Sequence, residues 1–192
     1  MSERLPDPVV GFGAGLGLLL TYGVPTRCNV GPEGRWWETI RRRVSTAGGL
    51  VDGRIGPRPI TAAEYAGTLD MPPALAEEVL WDRGFVRNPF ARLKVMDGSQ
   101  EYGSWVYRES WFAFRQLHLM LFPGDDCRTD VYAHEEASSV NPLVGTEHFN
   151  GDEQNVAEGV AWARAVLPLD VRKETPRPPE GPWTEAVVSA ER

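Results

Sequence analysis

The chain has 192 residues, of which 42% are hydrophobic and 24% are charged, and this balance excludes a globally disordered protein. Its formal net charge of -7 at pH 7 excludes nucleic-acid binding over the whole surface, because phosphate recognition needs concentrated positive charge. Cys28 and Cys127 are far apart and form neither a metal-knuckle spacing nor a disulfide framework, which is typical of the reducing cytoplasm. The basic residues are nearly all arginine, which indicates a GC-rich genome.

The first 59 residues combine an apolar run with an amphipathic helix. Residues 9–24 are uncharged and glycine-rich, but a spanning helix needs about 20 apolar residues. We therefore expect this run to complete a shared core and to have no role in a membrane. Trp36 and Trp37 begin a pattern with helical spacing that ends at Gly48. The other face of this helix, which we interpret as solvent-exposed, carries Arg35, Arg41, Arg42 and Arg43.

Two short helices joined by a turn are predicted in the middle of the chain. Thr61 and Glu64 form a capping box, so the first helix should cover residues 61–69. The chain then turns at residues 70–73, and the last proline of this turn suits the first turn of the next helix. The second helix should end at Arg83, immediately before a glycine.

Two strands are predicted next, at residues 92–96 and 104–108, with the turn signal Asp97-Gly98 between them. Two helices joined by a turn and followed by a two-stranded ribbon resemble a winged helix-turn-helix. The resemblance covers residues 60–108 and concerns the fold alone.

The winged-helix-like module is compatible with two roles. Its second helix presents Glu77, Glu78 and Asp82, whose negative charge disfavours entry into a phosphate-lined groove. The leading prediction is therefore a small interaction or adaptor protein with a protein partner and a regulatory role. The alternative is a nucleic-acid-binding transcriptional regulator that contacts phosphates through its wing. The candidate contacts for either partner are Arg87, Arg92, Lys94 and Arg108.

The C-terminal part, residues 109–169, is predicted to form a strand, a strand and a helix. Alternating leucines indicate a strand within residues 111–122, and a returning strand follows at 129–135. The helix should cover about residues 152–167. The proline-rich tail, residues 170–192, should be extended or disordered.

The three histidines of the chain are His118, His134 and His148. If the predicted hairpin turns at residues 125–127, the first two face each other with Cβ atoms about 5 Å apart. Glu135 and Glu136 are near in sequence, and imidazoles with carboxylates can bind zinc. A metal-dependent enzyme that uses this cluster is therefore a second alternative. Because no recognised ligand spacing is present, we expect no metal, no cofactor, no catalytic residue and no metal requirement for folding.

The sequence thus predicts an α+β protein of the cytoplasm. A winged-helix-like centre should pack against a C-terminal unit of a β-hairpin plus a helix. The N-terminal apolar run and the tryptophan-containing helix should join the same core.

Overall fold

The computed structural model of the protein describes residues 31–35, 38–39, 41–43, 57–88, 91–144 and 154–171. The apolar run at residues 9–24, His148 and the tail beyond residue 171 lie outside the described residues. The predicted α+β class is confirmed, because the chain builds two β-sheets and packs helices against the larger one. Among the described helices, none combines the length and the apolar character needed to cross a membrane.

The strands are β1 (Arg58–Pro59), β2 (Tyr65–Leu69), β3 (Val86–Arg87), β4 (Lys94–Met96), β5 (Ser99–Gln100), β6 (Gly103–Tyr107), β7 (Arg115–Pro123) and β8 (Thr129–Ala137). The α-helices with assigned ends are α1 (Pro73–Asp82) and α2 (Val156–Val166). Short 3₁₀ turns cover Pro32–Gly34 and Ala62–Glu64. Helical residues at 35, 38–39 and 41–43 agree with the predicted N-terminal helix as far as it is described.

The larger sheet has the strand order β2-β8-β7-β6-β3, and all of its neighbouring strands are antiparallel. The smaller sheet has the order β1-β4-β5, with β1 parallel to β4 and β5 antiparallel to it. The central hairpin of β7 and β8 confirms the two strands predicted in the C-terminal part. Its register places His118 directly opposite His134, as the alternation predicted.

Side chains along the central hairpin point alternately to the two sides of the larger sheet, and the two faces differ in composition. On one face Leu117, Leu119 and Leu121 are fully buried and join α1 and α2 in the main apolar cluster. On the opposite face Met120 and Phe122 belong to a smaller apolar cluster with residues of the first strands. Polar residues occupy the rest of this second face, so the sheet buries both apolar and polar groups.

Helix α2 confirms the predicted C-terminal helix and packs closely on β8. Asn155 caps it by accepting a hydrogen bond from the Glu158 backbone N–H, and Val160 and Ala163 are buried. A Cβ atom at Gly159 would collide with the backbone of His134. The glycine therefore permits the helix to approach the strand that carries His134.

The prediction of a first helix at residues 61–69 is wrong. The Thr61–Glu64 capping box is present, but only one 3₁₀ turn follows it before β2 begins at Tyr65. Strand β2 pairs with β8, and Thr68 also exchanges two backbone hydrogen bonds with Asp170. Pairing along both edges of the strand outweighs the local helix signal, because β structure depends on tertiary context. Residues 60–108 therefore lack the first helix of a helix-turn-helix, whereas the second predicted helix is confirmed as α1.

The predicted wing is also corrected. Strand β4 turns at Asp97 and Gly98, which both have positive φ, and pairs with β5 rather than β6. Strand β6 instead joins the larger sheet beside β7. Positive φ at both turn residues favours a tight two-residue hairpin, so Asp97-Gly98 is a turn as predicted, but it joins β4 to β5 and does not join the two predicted wing strands.

Candidate functional site

Two histidines lie in contact at the centre of the polar face. The Nδ1 atom of His118 and the Nε2 atom of His134 are 3.1 Å apart, and one of these nitrogens donates to the other. Both side chains are 1% exposed. The two histidines therefore lie on adjacent strands, contact each other directly and are almost completely buried.

Glu136 completes a group of three with these histidines. It follows His134 by two residues along β8, so both side chains lie on the same face of the sheet. Its carboxylate oxygens lie 3.4 Å from His118 Nδ1 and 3.4 Å from His134 Nε2. One ligand atom from each of the three residues fits within 4.8 Å of the others. We call these three residues the histidine cluster.

Each member of the histidine cluster has a further hydrogen-bond partner. The Ser104 hydroxyl lies 2.7 Å from His118 Nε2, and a Glu64 oxygen lies 2.9 Å from His134 Nδ1. Gln116 donates to Glu136 Oε1 at 2.7 Å. These contacts fix the rings and the carboxylate, so that His118 Nδ1, His134 Nε2 and the carboxylate of Glu136 face one another.

Different elements supply these outer partners. Gln116 lies opposite Glu136 in the β7–β8 register, and Ser104 comes from β6. Glu64 ends the 3₁₀ turn before β2, and its second oxygen accepts the Thr61 backbone N–H at 2.7 Å. The local cap therefore orients the carboxylate that contacts His134.

The environment shifts the pKa values of three of these groups in different directions. Burial lowers the pKa of His118 to about 4, which leaves its imidazole neutral. Burial also acts against a charged His134, but hydrogen bonds with Glu136 and Glu64 outweigh it and raise its pKa. Burial acts to raise the pKa of Glu64, yet hydrogen bonds with His134 and Thr61 lower it overall. The carboxylates are thus arranged to stabilise positive charge at this point.

The dimensions of the histidine cluster suit a divalent transition-metal ion. Ligands about 2.0–2.1 Å from a tetrahedral zinc ion are separated from each other by about 3.3 Å. The two histidine nitrogens are 3.1 Å apart, and each lies 3.4 Å from a different oxygen of the Glu136 carboxylate, His118 from Oε1 and His134 from Oε2. Metal-bound histidines also carry an outer partner on the other ring nitrogen, as His118 and His134 do here.

Two of the predicted contact residues are not at the surface. Arg87 is completely buried and Lys94 is 4% exposed, so neither can reach a nucleic-acid phosphate. Arg92 and Arg108 are half-buried, and Arg108 donates hydrogen bonds to Gln116 and Ser139. The wing surface proposed from the sequence is therefore not a continuous basic patch.

A second buried group of charges surrounds Arg87 on the other face of the sheet. Arg87 donates to Glu77 at 2.7 Å and to Glu38 at 3.3 Å. Arg41 contacts Glu38 and also Glu101, the latter at 2.6 Å. We call these five residues the arginine cluster. Arg41 is buried in it, so the interpretation of Arg41 as part of a solvent-exposed helix face is wrong.

Part of the histidine cluster could have been recognised from the sequence. The predicted strand at residues 129–135 ends one residue before Glu136. Extension of this strand by one residue would have placed Glu136 on the same face as His134 and given the signal for a third ligand. Glu64 and Ser104 carried no such signal, because their partners are 70 and 14 residues away in the chain. Comparison of the chain with protein-family models, with curated proteins and with solved structures finds no match.

Proposed function

We propose that His118, His134 and Glu136 hold a divalent transition-metal ion and that the protein is a metal-dependent enzyme. The observation that carries this proposal is the convergence of three ligand groups, whose ligand atoms, one from each residue, lie within 4.8 Å of one another. Each group is held by its own outer partner. Two imidazoles with one carboxylate suit zinc or ferrous iron.

The number of ligands supports a catalytic rather than a structural ion. Structural zinc sites have four protein ligands, whereas catalytic sites have three and keep one position for water or substrate. The histidine cluster contributes three ligands among the described residues. A bound ion would act as a Lewis acid or activate a water molecule at neutral pH.

Metal titration of the purified protein after EDTA treatment and dialysis tests the proposal. We expect one Zn²⁺ or Co²⁺ ion per chain by calorimetry, and a large loss of affinity in Glu136→Gln. Glu135→Gln is the matched control, because Glu135 points to the opposite face and pairs with Arg115. Absence of stoichiometric binding, or equal losses in the two variants, would contradict a site at Glu136.

The second candidate function is protein docking, the leading prediction from the sequence. Exposed apolar side chains favour it, since Phe112 is 75% exposed, Phe114 58% and Leu143 75%. Asn141 donates to the Phe112 carbonyl and so joins the two loops that carry them. A second copy of the chain is the proposed partner, because a two-fold interface pairs one patch with itself. Sedimentation should show a concentration-dependent dimer that Phe112→Ser abolishes; a monomer at every concentration would refute it.

A further inference from the structure

Gln116 is completely buried, and hydrogen-bond donors on one side of its side-chain amide fix the orientation of that amide. Its Oε1 atom lies 2.8 Å from Arg108 Nε, 3.1 Å from the Ser139 backbone nitrogen and 3.2 Å from Ser139 Oγ. A guanidinium nitrogen and a backbone N–H can only donate, so the amide oxygen must face them. The amide nitrogen consequently faces Glu136 and donates to Oε1 of its carboxylate at 2.7 Å.

Arg108 is therefore connected to the histidine cluster through a single amide. Its guanidinium also donates from Nη2 to Ser139 Oγ at 3.0 Å, so two of its nitrogens bond to groups around Gln116 Oε1. A cationic donor at the oxygen polarises the amide and strengthens the donation from its nitrogen, because hydrogen bonds in a chain reinforce one another. Arg108 is half-buried, so this chain of contacts runs inward from a partly exposed cation to Glu136.

We propose that Gln116 and Arg108 are positioning residues of the metal site, which hold the Glu136 carboxylate in the orientation that binds the ion. This inference rests on the proposed metal site. Groups that hydrogen-bond to a ligating carboxylate orient it, and their loss weakens metal binding by about ten- to a hundredfold. This role of Arg108 differs from the contact with phosphate or a partner protein that the sequence predicts.

Another arginine of the same hairpin provides a matched control. Arg115 precedes Gln116 along β7 and therefore points to the opposite face of the sheet, where it contacts Glu135 at 3.0 Å. Arg115 is half-buried, as Arg108 is. Its removal therefore measures the loss of a similar cation on the side of the sheet away from the histidine cluster.

Titration of the full chain with Co²⁺, followed by visible absorption, tests this inference. The titration gives the affinity, and the spectrum of the bound ion reports the arrangement of its ligands. Gln116→Met should weaken Co²⁺ binding by about ten- to a hundredfold, and Arg108→Met by about three- to tenfold, because Arg108 acts through the amide. Both substitutions should change the spectrum, whereas Arg115→Met should keep the wild-type affinity and spectrum.

A double variant separates positioning from a general structural role. If Arg108 acts through Gln116, adding Arg108→Met to Gln116→Met should cause no further loss of Co²⁺ affinity. Additive losses would overturn the inference. Chemical denaturation identifies the variants that fold. If Gln116→Met does not fold, the comparison of Arg108→Met with Arg115→Met decides the question, and equal affinities and spectra would overturn the inference.

The outcomes separate this inference from the proposed function. Stoichiometric cobalt binding with wild-type affinity and spectrum in folded Gln116→Met and Arg108→Met variants would overturn the positioning role and leave the metal site intact. Failure of the wild-type protein to bind cobalt would refute the metal site, and this inference would fail with it.

Discussion

The arginine cluster and the histidine cluster are both buried groups of charges, but they are completed in different ways. In the arginine cluster, the guanidinium groups of Arg41 and Arg87 lie directly between the carboxylates of Glu38, Glu77 and Glu101. In the histidine cluster, the imidazoles of His118 and His134 contact each other and the carboxylate of Glu136, and His134 also contacts Glu64.

This difference assigns different roles to the two groups. A guanidinium group is permanently charged and supplies a planar set of donors, so each carboxylate of the arginine cluster already has a cationic partner from the chain itself. Imidazoles accept a proton or a metal ion in the same position, so the histidine cluster can exchange one cation for another. The first group therefore stabilises the fold, and the second is suited to chemistry.

The largest loss of unfolding free energy should come from removing a permanently charged side chain. Arg87→Met leaves the buried carboxylates of Glu77 and Glu38 without their shared guanidinium, and we expect the unfolding free energy to fall by about 3–5 kcal/mol. Chemical denaturation measures this loss. Adding Glu77→Gln to the Arg87→Met variant should recover part of it, because one uncompensated charge is removed. A loss below about 1 kcal/mol would show that the arginine cluster does not support the fold.

The sequence predicted elements with local signals and missed those that depend on distant partners. Alternating leucines and the turn after Pro123 identified the β7–β8 hairpin. The pairing of His118 with His134 was expected only for a turn centred on residues 125–127, and the structure has that register. The Thr61–Glu64 cap was also visible, but the strand after it is stabilised by β8 and Asp170, which no local pattern indicates.

The burial of Arg87 and Lys94 was missed for the same reason. A cation in a sequence is expected at the surface, because burial of an unpaired charge is unfavourable. The Glu38 partner of Arg87 lies 49 residues away in the chain, and it becomes a partner only when the N-terminal helical residues pack on the sheet.

Metal addition should raise the unfolding free energy through the histidine cluster alone. At a free Zn²⁺ concentration about one hundred times Kd, binding to the folded state should add about 2.7 kcal/mol to the unfolding free energy. Thermal melting with Zn²⁺ and with EDTA measures the difference, and Glu136→Gln should abolish it. The protein in EDTA should still melt cooperatively, since we expect no metal requirement for folding. Loss of a folded state in EDTA would show that the ion is structural.

Helix α2 packs closely on the strand that carries His134 and Glu136, and a substitution at this contact should cause a smaller loss of unfolding free energy. Gly159→Ala adds a methyl group against the backbone of His134, and we expect it to cost about 1–3 kcal/mol. At an exposed helix position the same exchange would stabilise by about 1 kcal/mol, so Ala161→Gly is the control for helix propensity. A stabilised Gly159→Ala variant would show that the helix can move away from β8 without cost.

The smallest effect is expected from the ion pair on the other face of β8. Glu135 contacts Arg115 at 3.0 Å, and their side chains are 15% and 31% exposed. Solvent screens this pair more than either buried cluster, so Glu135→Gln should change the unfolding free energy by about 0.2–1 kcal/mol. The change should decrease further at high salt, because screening lengths shorten as ionic strength rises. Denaturation of Glu135→Gln and Glu136→Gln at low and high salt measures both effects on adjacent residues of one strand. A larger loss in Glu135→Gln than in Glu136→Gln would show that the Glu135–Arg115 pair contributes more to the stability of this hairpin than the histidine cluster does.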